Sequence, residues 1–148
     1  MTLRNPASWF EIYVNDMERA RKFYETVMGV ETTKMEAGDF DGEMYTLPMV
    51  MGGEGAGGAL VKWANQQPSS SGTIVYFDSK DCEIELARVE GAGGKILQTK
   101  SQAGEFGFSC LIQDTEGNTV GFFQKNKNRV VLWRRLRQFT RGKMFLNF

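Results

Sequence analysis

Two stretches of this chain carry the same order of apolar and polar positions. In the first, Phe10, Ile12 and Val14 alternate with Trp9, Glu11 and Tyr13, the period of two of a half-buried strand. Asp16 then supplies a side-chain acceptor for the free N–H groups of a first helical turn. Glu18 sits near the positive end of that helix's dipole. Met17, Ala20, Phe23, Tyr24, Val27 and Met28 recur at the i+3, i+4, i+7 spacing of one buried stripe. Gly29 is free to take the left-handed conformation that ends the helix. Strand candidates follow at Glu31–Ala37, Glu43–Pro48 and Gly58–Trp63. The polar, breaker-rich run 66–72 reads as a linker.

The second stretch repeats the scheme. Thr73–Asp78 reads as a strand, Asp81 caps a helix to about Glu90, and Gly91-Ala92-Gly93-Gly94 ends it. Strands are predicted at Lys95–Thr99, Phe108–Gln113 and Thr119–Gln124. Asp114-Thr115-Glu116-Gly117-Asn118 joins the last two as a tight turn, with Gly117 and Asn118 suited to positive φ. At a constant offset of 65 residues, Asp16 falls on Asp81, Glu18 on Glu83, Glu25 on Glu90 and Gly29 on Gly94. Strand, helix, three strands, twice over, predicts an α+β domain of two βαβββ modules. Each is a curved sheet with a helix on one face, and the other face meets the other half. The expected domain is 1–126, with module 1 at about 7–65 and module 2 at about 72–126. Residues 127–148 form an extension.

Composition narrows the function classes. With 148 residues, 41% of them hydrophobic and 24% charged, the chain suits one ordinary globular domain with a sizeable core. No apolar run reaches the length of a transmembrane helix, and the N-terminus lacks the apolar core of a secretory signal. Cys82 and Cys110 have no motif spacing, so two free thiols in a reducing cytoplasm are expected. The net charge of zero hides a split: through Gln124 there are 10 basic and 18 acidic residues, a net of −8, and after it 8 basic and none acidic. An acidic body argues against nucleic-acid binding, which needs clustered Lys and Arg. In the tail, Leu132, Leu136 and Phe139 would share one helical face, while Arg134, Arg135, Arg137 and Arg141 take much of the rest. Such a helix would touch an anionic membrane, dock on its own acidic domain or on a dimer mate, or be an appended segment.

The chain contains no histidine. That removes Ser-His and Cys-His nucleophile pairs and the commonest metal ligand. The glycine-rich segment 51–57 lacks the P-loop pattern and reads as a mobile loop. Asp39, Asp41 and Glu43 read as a solvated turn rather than a calcium site. The chemistry falls on the face opposite Phe10, Ile12 and Val14. Trp9, Glu11 and Tyr13 line it in the first module, and Tyr76 and Asp78 take the places of Glu11 and Tyr13 in the second. These residues form either an aromatic-lined ligand pocket or a plain barrel core. Glu11 and Asp78 are the candidate proton-transfer groups or holders of a cationic ligand. A buried Glu11 needs a partner, either Lys62 or a tyrosine hydroxyl; otherwise it is a satisfied strand residue holding the halves together.

The chain resembles the vicinal oxygen chelate superfamily, the glyoxalase/bleomycin-resistance/dioxygenase-like proteins. The resemblance rests on the run from Trp9 to Tyr24, on Gly57-Gly58-Ala59-Leu60-Val61-Lys62, on Arg88 to Ile96 and on Asp114 to Gly121. It covers roughly residues 7 to 126 and implies a half-open barrel, usually dimeric. Its metal-dependent members carry His, Gln or Glu at four barrel-facing positions. Three of these fall on Trp9, Ile74 and Gly121, and the fourth lies near the end of Gly58–Trp63. None of the three placed residues ligates a metal through its side chain. The expectation is therefore a metal-independent, cofactor-free, homodimeric small-molecule-binding protein, with Trp9, Glu11, Tyr13, Lys62, Tyr76 and Asp78 around the ligand. The alternatives are a lyase or isomerase on a small oxygenated substrate, with Glu11 or Asp78 moving the proton, and an interaction protein with a filled cleft.

Overall fold

The computed structural model describes residues 5–36 and 38–127. In chain order the elements are β1 (Trp9–Tyr13), α1 (Met17–Met28), β2 (Thr33–Lys34), β3 (Gly42–Thr46), β4 (Gly57–Trp63), β5 (Tyr76–Ser79), α2 (Cys82–Val89), β6 (Lys95–Ala103), β7 (Gly107–Gln113) and β8 (Thr119–Lys125). They make two four-stranded sheets of matching connectivity, β1-β4-β3-β2 and β5-β8-β7-β6. In each, the first strand runs parallel to the last, because the helix carries the chain back across one face, and the other ladders are antiparallel. This is the duplicated βαβββ arrangement, without a closed barrel.

Local chemistry sets the helix ends. The Asp16 side chain accepts a hydrogen bond from the Arg19 N–H at 3.0 Å, and Asp81 accepts one from Glu83 N–H at 3.2 Å. Gly29 ends α1 at φ 67°, a conformation costly for any residue with a Cβ. Around the 114–118 turn only Gly117 takes a positive φ, 93°; Asn118 keeps a negative one and spends its side chain on hydrogen bonds instead.

One core joins both modules. Met17, Ala20, Phe23, Tyr24 and Val27 of α1 and Cys82, Leu86 and Val89 of α2 pack with Ile12, Leu60, Phe77, Cys110, Ile112, Val120 and Phe122 of the sheets. Burying each large apolar side chain contributes roughly 1.5–3 kcal/mol. Phe10 and Phe77, on the edge strands β1 and β5, meet edge-to-face at 5.9 Å, so the modules share apolar contacts where their edges approach. Both cysteines are buried and free.

Several boundaries differ from the sequence reading. The strand expected at Glu31–Ala37 narrows to Thr33–Lys34, because only these two residues find ladder partners in β3. The fifth strand begins at Tyr76 rather than Thr73. β6 runs on to Ala103, through register shifts near Gln98 and Ser101 that periodicity does not reveal. Residues 128–148, including the basic tail helix proposed above, lie outside the described residues, as does Ala37.

Candidate functional site

The alternation that sends Ile12 into the core turns Trp9, Glu11 and Tyr13 to the other face of β1. There the three side chains meet. The Tyr13 hydroxyl donates to Glu11 Oε2 at 2.7 Å, and the Trp9 indole N–H donates to Oε1 at 3.4 Å. Both carboxylate oxygens are thus engaged by ring donors from the same strand. The neighbouring carboxylate pushes the Tyr13 phenol up to about 12, chiefly through the hydrogen bond to Glu11, with burial and charge repulsion adding to it. Trp9 is 37% exposed, so one side of the trio stays open.

Lys62 does not reach this carboxylate. The parity that places Leu60 in the core puts Lys62 on the helix-facing side of β4, where its Nζ lies 3.9 Å from Glu43. Glu11 takes a tyrosine hydroxyl instead, the other of the two partners open to it. Tyr76 and Asp78 occupy the corresponding face of β5. Tyr76 is half exposed, and Asp78 pairs with Lys125 at 3.1 Å. The two halves of the candidate set therefore sit on separate sheets. A cavity of about 130 Å³ runs beside Glu11 and Tyr13, where β1 faces the 67–75 segment; Ser69, Ser71, Thr73 and Thr119 give it hydroxyl groups. The sequence reading took 66–72 as a linker and Thr73–Asp78 as a strand, and the serine run of the linker was the available sign of a polar wall.

The ladder register corrects the fourth barrel-facing position, expected near the end of Gly58–Trp63, to the start of that stretch. Tyr76 pairs with Gly121 in the second module, and Glu11, its counterpart at the 65-residue offset, pairs with Ala59 in the first. The four positions are then Trp9, Ala59, Ile74 and Gly121, which offer an indole, a methyl, an aliphatic chain and no side chain. An aromatic ring also stands over Gly121: a Cβ there would lie 2.4 Å from the Tyr76 ring. Among the described residues no three His, Cys, Asp or Glu side chains converge to hold a metal ion. This donor set does not fit a divalent cation.

A second polar cluster fastens the modules together. Glu116, in the β7–β8 turn, accepts hydrogen bonds from the backbone N–H groups of Asn15 and Asp16 at 3.0 and 2.8 Å and from Arg19 Nε at 2.7 Å. Beside it, the buried Tyr24 hydroxyl donates to Asp114 at 2.6 Å. Asn118 bridges Asp114 to the Tyr13 carbonyl. These contacts span about a hundred residues of sequence, beyond the reach of any local pattern.

The Glyoxalase/Bleomycin resistance protein/Dioxygenase superfamily model matches residues 7–122. The chain belongs to this superfamily. Among solved structures, this glyoxalase-superfamily chain is similar to TnmS3, an antibiotic binding protein from Streptomyces sp. CB03234. The two share 21% identity, a TM-score of 0.61, and coverage of 85% of this chain and 100% of that one. It is also similar to a V278E mutant of glyoxalase I from Zea mays, at 21% identity and TM-score 0.63, covering 86% of this chain but only 47% of the maize chain. A glyoxalase-related enzyme from Fulvimarina pelagi matches at 13% identity, TM-score 0.58, over 80% of this chain and 87% of that one. At these identities the likeness shows the fold alone. No match was found among curated proteins. No described helix is long and apolar enough to cross a membrane.

Proposed function

We propose that this superfamily member binds a small molecule on the open face of β1 without a resident metal. The observation that carries the reading is the exchange of ligating side chains for Trp9, Ala59, Ile74 and Gly121, beside a carboxylate held by two ring donors. Rings that present both an apolar face and a polar edge are the usual lining of small-molecule sites. Superfamily membership and the antibiotic-binding TnmS3 among its structural neighbours support the same reading. Asp78 and Tyr76 extend the surface on β5. A homodimer belongs to the proposal: Ile74, 36% exposed on one chain, is apolar surface that a second copy would cover while leaving the outer side of Trp9 open to the ligand. So does a reducing cytoplasm, supported by two buried, unpaired thiols.

A thermal-shift screen of antibiotics and metabolites against the purified chain tests this reading. It predicts compounds that raise the melting temperature of the parent protein and lose that effect in Trp9→Ala. A hit whose shift is the same in Trp9→Ala would place the ligand elsewhere and overturn the assignment of the site.

A further inference from the structure

Glu11 shares with Asp114 and Glu85 a hydrogen-bonded carboxylate that no described lysine or arginine pairs, but of these three it alone is exposed and lies between two rings. Glu116 has Arg19, Asp81 has Lys100, Asp78 has Lys125, and Glu25 has Arg21. Glu11 is held instead by an indole N–H at 3.4 Å and a phenol O–H at 2.7 Å, and no described lysine or arginine pairs with it. A fixed charge without a counter-charge sits between two aromatic rings. Successive residues on one strand face lie about 6.6–6.8 Å apart, so Trp9 and Tyr13 flank the carboxylate on either side. The described body also carries a net negative charge, which attracts cations to its surface.

We propose that Glu11, Trp9 and Tyr13 form a subsite for an organic cation, and that the ligand of this face carries an ammonium or amidinium group attached to a planar ring. This rests on the small-molecule reading above and names the ligand class. The cation meets the free lone pairs of Glu11 and the faces of the two rings, which attract positive charge through their quadrupoles. The planar part covers the exposed side of Trp9. The ring donors hold the carboxylate in one orientation before the ligand arrives, which lowers the ordering cost of binding. An anionic ligand would meet repulsion from Glu11 with no basic group on the trio to offset it.

Tryptamine and tryptophol share an indole and an ethyl arm and differ in carrying an ammonium or a hydroxyl. Each is titrated into 15N-labelled protein, and the Trp9 indole N–H resonance is followed after assignment by Trp9→Phe. The expected result is that both shift this resonance and that tryptamine binds about tenfold more tightly at low salt. The preference disappears in Glu11→Gln; a preference that persisted in Glu11→Gln would overturn Glu11 as the counter-charge of the cation. Equal affinity for the two probes in the parent protein would overturn the cation subsite while leaving the small-molecule site standing. If neither probe moved the resonance in folded protein, the reading of this face as a ligand site would fail with it.

Discussion

Arg19 Nε lies 2.7 Å from Glu116 Oε2, and that contact fastens α1 of the first module to the β7–β8 turn of the second. The glutamate side chain is fully buried and the arginine is half exposed, so the pair sits at a seam rather than inside the core. Burial alone would raise the Glu116 pKa. The Arg19 guanidinium and the N–H groups of Asp16 and Asn15 outweigh it and hold the carboxyl below its ordinary value.

Because the folded value is the lower one, the stabilisation is complete above the unfolded pKa of about 4.3. It is lost as pH falls through the folded value. Glu116→Gln is expected to destabilise the protein by about 1.5–3 kcal/mol at neutral pH. It should also flatten the acid limb of the stability curve. Urea unfolding of parent and variant from pH 7 to pH 3 measures both; parallel acid limbs would contradict the assignment.

Tyr24 and Asp114 form the buried half of the same seam. Desolvation comes first among the causes that raise the Tyr24 pKa well above its ordinary value, followed by the Asp114 charge and hydrogen bond. Tyr24→Phe removes a donor from a buried carboxylate and is expected to cost about 1–3 kcal/mol. Chemical denaturation reads this directly. A loss below half a kcal/mol would mean that Asp114 draws its support from Asn118 and the turn amides alone.

The Glu11–Tyr13 contact has an optical signature. Tyr13 is pushed up to about 12, so its phenol keeps the proton beyond the range in which exposed tyrosines ionise. The raised value means that the contact contributes fully below pH about 10, and its contribution fades as pH rises through 12. Absorbance titration near 295 nm should show one tyrosine moving from the late group to the ordinary group in Glu11→Gln. An unchanged titration would show that Glu11 is not its partner.

Gly121 is required by the ring above it. A Cβ there meets Tyr76 ring carbons at 2.4 and 2.5 Å and the Cys110 carbonyl at 2.9 Å. Gly121→Ala is expected to destabilise by about 1–3 kcal/mol. Adding Tyr76→Ala should recover part of that loss, since the ring contacts go and the carbonyl contact stays. Strict additivity in the double mutant would contradict the close approach.

What the chain disclosed beforehand was whatever is encoded locally. The Asp16 and Asp81 caps, the Gly29 stop and the alternation around Ile12 each act within a few residues, so both modules and the face bearing Trp9, Glu11 and Tyr13 were readable. The Glu116 clamp was not, because its acceptors and donors lie a hundred positions apart. Thr73 to Val75 look like strand but pair with no neighbour in a ladder, and composition does not count ladder partners. The choice of Tyr13 over Lys62 as the Glu11 partner turned on β4 register. Ladder pairing is also what identified Ala59 as the remaining barrel-facing position.

The central claim is a ligand site that works without a metal. The most direct test takes the strongest compound from the thermal-shift screen and measures its binding by calorimetry before and after exhaustive EDTA treatment, with elemental analysis of the same samples. The account predicts no stoichiometric Zn, Ni, Mn or Fe and unchanged affinity after chelation. A stoichiometric metal whose removal abolishes binding would contradict it.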